Sequence, residues 1–211
     1  ISNPSNPTLT GTYDTPNYAY GVTVNGNYAY VADDDSLQII DISIPSAPTL
    51  TGTLNTTGSA YGVSVSGNYA YVADGYDGLQ IIDISTPSSP TLTATYNTPG
   101  SAYGVSVSGN YAYVADYYDG LDIIDISTPS APTLTGTYNT SGSAWDVAVS
   151  GNYAYVADYY YDGLDIIDIS DPTSPTLTGT YNTSGYAIGV SVNGNYAYVA
   201  DGSPGLLIID I

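Results

Sequence analysis

The sequence contains no Lys, Arg, His, Cys, Met, Phe or Glu, and all 20 of its acidic residues are Asp. Without cationic side chains, salt bridges between side chains are excluded, and a formal net charge of -20 stands uncompensated. Nucleic acid is excluded as a partner, because nothing can neutralise its phosphates. An anionic membrane surface is excluded on the same ground. No apolar run reaches the roughly 18 residues that a membrane span needs. The usual general bases, thiol nucleophiles and Schiff-base amines come from residue types that are missing here, which argues against an enzyme. Zero Cys removes any disulfide clue to compartment, and zero Lys and Arg leaves trypsin-like proteases without a site.

What is present is a repeat. The proline of a PTLT motif falls at Pro7, Pro48, Pro90, Pro132 and Pro175, a period near 42 residues. Self-similarity at that length points to propeller blades or helical arrays. Helices are excluded by the abundance of Gly, Pro, Asn, Thr and Val and by the lack of a 3.6-residue apolar period. Each unit predicts four short strands, in the second copy Tyr61–Val65, Tyr69–Ala73, Leu79–Ile84 and Thr91–Tyr96. A Gly67-Asn68 turn suits a tight hairpin with positive φ between the first two. Pro87 and Pro90 cannot donate to a ladder and enforce a break before the fourth. The expected fold class is all-β: a single domain over residues 1–211, a five-bladed β-propeller with four antiparallel strands per blade. The chain opens with a lone fourth strand (Thr8–Tyr13) and ends with three strands lacking a fourth. Ile211 occupies the repeat position of Ile1, so the N-terminal strand is expected to complete the last blade beside Leu206–Ile211 and close the ring. A chain that begins within a blade reads as a mature or excised product, so a missing signal peptide is uninformative.

The third strands read GLQIIDIS or GLDIIDIS, followed by TPSxPTLTGTY or a close variant. This motif resembles the LVIVD repeat, a propeller-type repeat of bacterial and archaeal surface and secreted proteins, in five copies over the whole chain. It departs at the second and fourth motif positions, where Gln80 and Ile82 stand in place of Val. The resemblance implies fold and location. It carries no settled activity and no catalytic residues to transfer.

All length variation lies in the acidic turn between second and third strands, from DDDS in the first unit to DYYYDG in the fourth. In a propeller that turn shares a face with the loops joining successive blades, and binding favours variable loops on a rigid scaffold. Tyr76, Tyr117, Tyr118, Tyr159, Tyr160 and Tyr161 collect there and suit a sugar ring or a protein partner; packing between neighbouring loops is the plainer account. Asp74 with Asp77, Asp116 with Asp119, and Asp158 with Asp162 can offer carboxylates to calcium, but a D-x-D-x-D-G loop is missing and solvated turn residues are the simpler expectation. No other cofactor is indicated. Asp41, Asp83, Asp125, Asp168 and Asp210 recur at the ends of third strands; a fivefold cation site is the sharp reading, and acceptors for the following turn the favoured one. Asn55, Asn139 and Asn182 begin N-x-S/T triplets at one equivalent loop position, which are candidate N-glycosylation sites, although such triplets also arise by chance in a chain rich in Asn and Thr. Paired aspartates can cleave glycosidic bonds, but the five-bladed propellers that do so also use a Glu.

The function expected is therefore a non-enzymatic structural or adhesion module of the extracellular space or cell surface, self-associating as an oligomer or filament. A lectin-like binder using the Tyr, Asp and Asn loops is the alternative. A designed protein is a third, but unit-specific departures such as Ile44, Leu54, Trp145-Asp146 and Ile188 look like divergence. Twenty like charges repel one another in the folded state, so added salt screens them. Raising NaCl from about 10 to about 500 mM is expected to raise the melting temperature by several degrees in differential scanning fluorimetry. A flat profile contradicts this.

Overall fold

The structure, a computed structural model, describes residues 4–160 and 163–211. Eighteen strands among the described residues form five antiparallel sheets, and none of these residues is helical. The first sheet holds β1 (Ala19–Asn25), β2 (Tyr28–Asp41) and β3 (Thr49–Ala60). The second is β4 (Gly62–Ser66), β5 (Tyr69–Ala73), β6 (Leu79–Asp83) and β7 (Thr91–Tyr96). The third is β8 (Gly104–Ser108), β9 (Tyr111–Asp116), β10 (Gly120–Asp125) and β11 (Thr133–Tyr138). The fourth is β12 (Ala144–Ser150), β13 (Tyr153–Asp158), β14 (Gly163–Asp168) and β15 (Thr176–Tyr181). The fifth has three strands, β16 (Gly189–Asn193), β17 (Tyr196–Ala200) and β18 (Leu206–Asp210). In the first sheet the second and third strand paths merge into the 14-residue β2, because its turn is the shortest; the first half pairs with β1 and the second with β3.

The local chemistry behaves as the residues dictate. Gly26, Gly67, Gly109, Gly151 and Gly194 all turn with φ of 58–60°, which lets a two-residue hairpin match the strand twist. Ser43, Ser85, Ser127 and Ser170 each donate a backbone N–H at 2.8 Å to the Asp two residues earlier, so Asp41, Asp83, Asp125 and Asp168 are turn acceptors, as favoured above. The Ser hydroxyl and then the backbone N–H hold Asp41, Asp83 and Asp125 below the usual carboxylate range.

The sheets stack face to face, which explains the nearly continuous apolar runs. Tyr30, Ala32, Leu37 and Ile39 of the first sheet pack against Ala70, Val72 and Ile82 of the second. On the other face of the second sheet, Tyr71, Ala73, Leu79 and Ile81 pack against the third. Adjacent Ile81 and Ile82 thus point to opposite faces, and both are fully buried. The same positions recur between the third and fourth sheets and between the fourth and fifth.

A second repeated contact fixes the loops that join the sheets. Asp33, Asp74, Asp116, Asp158 and Asp201 are completely buried. Each accepts a backbone N–H from the residue sixteen positions earlier, Asn17, Gly58, Gly100, Gly142 or Gly185, at 2.7–3.2 Å. A Cβ at Gly58 would collide with the Asp74 backbone, so the loop can approach this closely only as glycine. Asp74, Asp116 and Asp158 correct the expectation of solvated turn residues: with no cation in the chain, backbone N–H groups are what these carboxylates find.

The N-terminal segment departs from expectation. Thr8–Tyr13 enters no sheet, and β18 has β17 as its one neighbour. The expected pairing beside Leu206–Ile211 is therefore absent from this structure. Gly11 instead lies against Pro45, as Gly52 lies against Pro87 and Gly136 against Pro172. The segment holds the place of an outer strand one sheet before the first, while the fifth sheet stands at the other end of the stack. Ile1, which aligned with Ile211 in the repeat count, lies outside the described residues.

Asp122 is the exception among the buried carboxylates, since neither of its oxygens has a hydrogen-bond partner. Its equivalent in the second sheet, Gln80, donates its amide to Asp74. Burial, then Asp116 and Asp119 beside it, pushes the Asp122 carboxyl up to about 7, and Tyr96 faces it from β7. Between pH about 4 and 7 the folded protein holds a proton that the unfolded chain has lost, so stability falls as pH rises through that window. Asp122→Gln removes the loss. In urea unfolding it is expected to stabilise by on the order of 2–4 kcal/mol at pH 8 and by almost nothing near pH 4. An equal effect at both pH values contradicts the assignment.

Candidate functional site

The inner strands of the five sheets begin around a central cavity of about 330 Å³. Its wall includes Tyr20, Tyr61, Tyr103, Trp145 and Ile188, one from each sheet at the same repeat position. These side chains continue into an arc of ring contacts. Tyr18 meets Tyr20 at 6.3 Å between centroids, Tyr20 meets Tyr61 at 5.1 Å, and Tyr61 stacks on Tyr103 at 4.4 Å with planes 6° apart. Tyr103 then meets Trp145 at 4.6 Å, Trp145 stacks on Tyr159 at 4.9 Å, and Tyr159 stacks on Tyr186 at 4.7 Å. Burial, then the neighbouring Tyr61 and Tyr117 phenols, pushes the Tyr103 hydroxyl up to about 12, so it remains a neutral donor.

The turn tyrosines divide. Tyr117 and Tyr159 are half-buried within the arc, Tyr117 at 5.1 Å from Tyr103 and 5.8 Å from Trp145. Tyr118 and Tyr160 stand edge-on upon them, at 4.4 and 4.5 Å, and are exposed. Tyr76 is 85% exposed and lies outside these ring contacts. Tyr161 falls outside the described residues. The turns are also tied to the following sheet: Gly75 and Ala102 exchange backbone hydrogen bonds at 2.9 and 3.0 Å, and Ala144 donates to the Tyr117 carbonyl at 2.9 Å. They are part of the sheet-to-sheet seam.

Sequence reasoning missed the inner-strand half of the arc and its carboxylate. Tyr20, Tyr61 and Tyr103 precede a glycine in each unit and look like ordinary strand residues. The signal was Trp145-Asp146, where the other inner strands have Tyr-Gly or Ile-Gly. Asp146 lines the cavity. Its Oδ1 accepts the Val147 N–H at 2.9 Å, and its Oδ2 accepts the Val190 N–H of the next sheet at 3.0 Å. Burial outweighs those two donors and raises the carboxyl to about 6.

For calcium, Asp74 and Asp116 are occupied by backbone donors, while Asp77 and Asp119 are half-buried beside them. Asp162, the partner named for Asp158, lies outside the described residues. Among the described residues no three acidic side chains converge closely enough to hold a metal ion. Asn55, Asn139 and Asn182 are all exposed; Asn139 and Asn182 lie directly after the fourth strands of their sheets, but Asn55 lies within β3, paired with Ser36, where the sequence had placed it on a loop.

The LVIVD repeat matches six consecutive segments that cover the chain: residues 1–15, 16–56, 57–98, 99–140, 141–183 and 184–211. No curated protein matches this chain. Among solved structures, a functionally unknown protein from Desulfotomaculum acetoxidans DSM 771 is similar at 16% identity and a TM-score of 0.79, over 94% of this chain and 67% of that one. A protein from Lactobacillus plantarum is similar at 17% identity and a TM-score of 0.81, over 91% of this chain and 67% of that one. The computationally designed Ika8 protein is similar at 12% identity and a TM-score of 0.72, over 90% of this chain and 57% of that one. The chain thus spans between 57 and 67% of the length of these structures, and at such identities the likeness is one of fold. The repeat carried by all five third strands, and the family match across every residue, lead to one assignment: the chain belongs to the LVIVD-repeat family.

Proposed function

We propose that this protein is a non-enzymatic structural or adhesion module of a cell surface or the extracellular space. In this reading its five sheets are five propeller blades, and the aromatic arc is its contact surface. The observation that carries the reading is the run of stacked and tilted rings from Tyr18 to Tyr186, which crosses all five sheets around one cavity. Tyrosine and tryptophan offer large contact area with little rotamer entropy to lose, together with a polar tip. The chain's inventory supports a non-enzymatic role, since it lacks His, Cys, Lys and Glu. Exposed Asn55, Asn139 and Asn182 accord with an outside setting.

A lectin-like use is the second reading, and Trp145-Asp146 favours it. The single indole of the chain stands beside the Asp146 carboxylate on the cavity wall, a pairing of apolar platform and hydrogen-bond acceptor that fits a sugar ring. Closure of the five blades by Thr8–Tyr13 joining Leu206–Ile211 within one chain belongs to the propeller reading.

Capture of the fluorescently labelled protein on glycan and extracellular-protein arrays tests the contact surface. Tyr118→Ser combined with Tyr160→Ser is expected to leave the circular dichroism unchanged and to weaken capture by roughly tenfold or more, because exposed aromatic anchors commonly contribute over about 1 kcal/mol each. Trp145→Ala is expected to reduce glycan capture more than protein capture if the lectin reading holds. Unaltered capture by both variants removes the arc from the function.

A further inference from the structure

The turns of the second and third sheets read DGYDG and DYYDG, and they differ at one place: Gly75 stands where the third sheet has Tyr117. The two turns are otherwise built alike. Gly75 forms a bridge with Ala102 as Tyr117 does with Ala144, and the N–H of Asp77 and of Asp119 returns to the carbonyl of Asp74 and of Asp116. Both positions have positive φ, 55° at Gly75 and 29° at Tyr117, so this turn accepts a tyrosine there. In the third sheet the Tyr117 ring lies against the Tyr103–Trp145 pair, at 5.1 and 5.8 Å, with Tyr118 edge-on upon it at 4.4 Å. The equivalent pair one sheet earlier is Tyr61 and Tyr103, and the equivalent of Tyr118 is Tyr76. No side chain leaves Gly75 to meet them, and a cavity of about 380 Å³ opens there, bordered by Tyr61, Tyr76 and Tyr103. A Cβ built on Gly75 would stand 3.4 Å from the Tyr61 ring, in ordinary contact, so a side chain at this position starts beside that pair.

We propose that this cavity binds a phenolic ring that carries no negative charge, seated as the Tyr117 ring is seated one sheet further on. The molecule supplies its own template: the same turn, an equivalent pair of rings beside it and the same second tyrosine. A ring lying on Tyr61 and Tyr103 with Tyr76 at its edge has the offset and edge-to-face contacts that aromatic groups favour. It also gives Tyr76, which is 85% exposed, the ring partner that Tyr118 has in Tyr117. Polar groups on the wall set the rest of the chemistry. Asp35, Asp77 and Ser59 border the cavity. Ionised carboxylates only accept hydrogen bonds, so a ligand hydroxyl or ammonium is matched and a ligand carboxylate is repelled. The net charge of -20 acts in the same direction. The cavity is larger than one phenol and leaves room for atoms flanking the ring, so both a small phenol and the tyrosyl side chain of another protein fit this chemistry. The site goes beyond the structural-module reading. It shares Tyr61 and Tyr103 with the arc but needs neither Tyr118 nor Tyr160.

Titration with para-cresol, N-acetyltyrosinamide, tyramine and para-hydroxyphenylacetate, followed by amide-detected NMR, tests the site. The two neutral phenols are expected to bind with dissociation constants on the order of 0.1–1 mM and to shift the amides of Ser59, Gly75 and Ser101. Tyramine should bind several-fold tighter near about 10 mM salt and lose that advantage near about 500 mM, whereas para-hydroxyphenylacetate should bind about tenfold more weakly or worse. N-acetyltyrosinamide binding as tightly as para-cresol identifies a tyrosyl side chain as the fitting source; binding of para-cresol without it identifies a free phenol. Shifts confined to the region of Trp145 and Asp146, or no binding of any phenol up to about 10 mM, overturn the proposal. Gly75→Tyr is expected to fill the cavity, to raise the melting temperature by a few degrees and to abolish the shifts. If that variant keeps native circular dichroism and binds phenols as the wild type does, the proposal fails. Should it not fold, Tyr76→Ala at an exposed position decides the matter: weakening by roughly fivefold is expected, and unchanged affinity overturns the site. Tyr118→Ser with Tyr160→Ser should leave phenol binding unchanged, which separates failure of this site from failure of the arc.

Discussion

Each sheet in this chain is apolar on both faces, and the rest of the structure depends on covering those faces. A half-polar sheet can face water on one side, but a strand such as LQIID, with Leu79, Ile81 and Ile82 all fully buried, has no face to give to solvent. Burying one such side chain contributes about 1.5–3 kcal/mol relative to leaving it exposed. The repeat therefore stacks, and any arrangement that stops stacking leaves Leu206, Ile208, Val22 and Val24 in water. Stacking has to overcome the repulsion of 20 uncompensated aspartates, which explains why packing residues dominate every unit.

The absence of cations shapes the polar structure as strongly as the apolar one. In an ordinary protein a buried carboxylate often faces Arg or Lys. Here Asp33, Asp74, Asp116, Asp158 and Asp201 use the backbone N–H groups of the loops that join the sheets. Carboxylates have thereby become the clamps of those loops, and glycine at Gly58, Gly100, Gly142 and Gly185 is what lets the backbone come close enough. Where a unit departs from this economy, the chemistry changes. Gln80 completes the clamp in the second sheet, whereas Asp122 in the third brings a second buried acid to it. Asp146 replaces an inner-strand glycine and sets a carboxylate on the cavity wall.

Much of the fold was legible because its determinants are local and repeated five times. The Gly-Asn hairpins, the proline breaks and the Asp-x-Ser turns each depend on a few neighbouring residues, and the period of about 42 residues told where one unit stopped and the next began. The candidate site was only half legible. Tyr117, Tyr118, Tyr159 and Tyr160 drew attention through the varying turn, but Tyr20, Tyr61 and Tyr103 looked like strand residues. Their significance comes from lying at the same height on successive sheets, so that rings some 42 residues apart in sequence stand 4.4–5.1 Å apart in space.

By itself the sequence determined that the chain is all-β, that its unit is a short antiparallel sheet, that the unit recurs five times, and that carboxylates must find partners other than cations. Each of these follows from spacing and residue type within one repeat. Tertiary structure decided the rest: that the turn aspartates are buried clamps, that the tyrosines join into one arc, and that Thr8–Tyr13 lies beside the first sheet without joining the fifth. The physical reason is that these features depend on the rotation from one sheet to the next. Five equal repeats specify the interface between neighbours, but the angle accumulated over four such interfaces is a sum of small packing terms that no single repeat encodes.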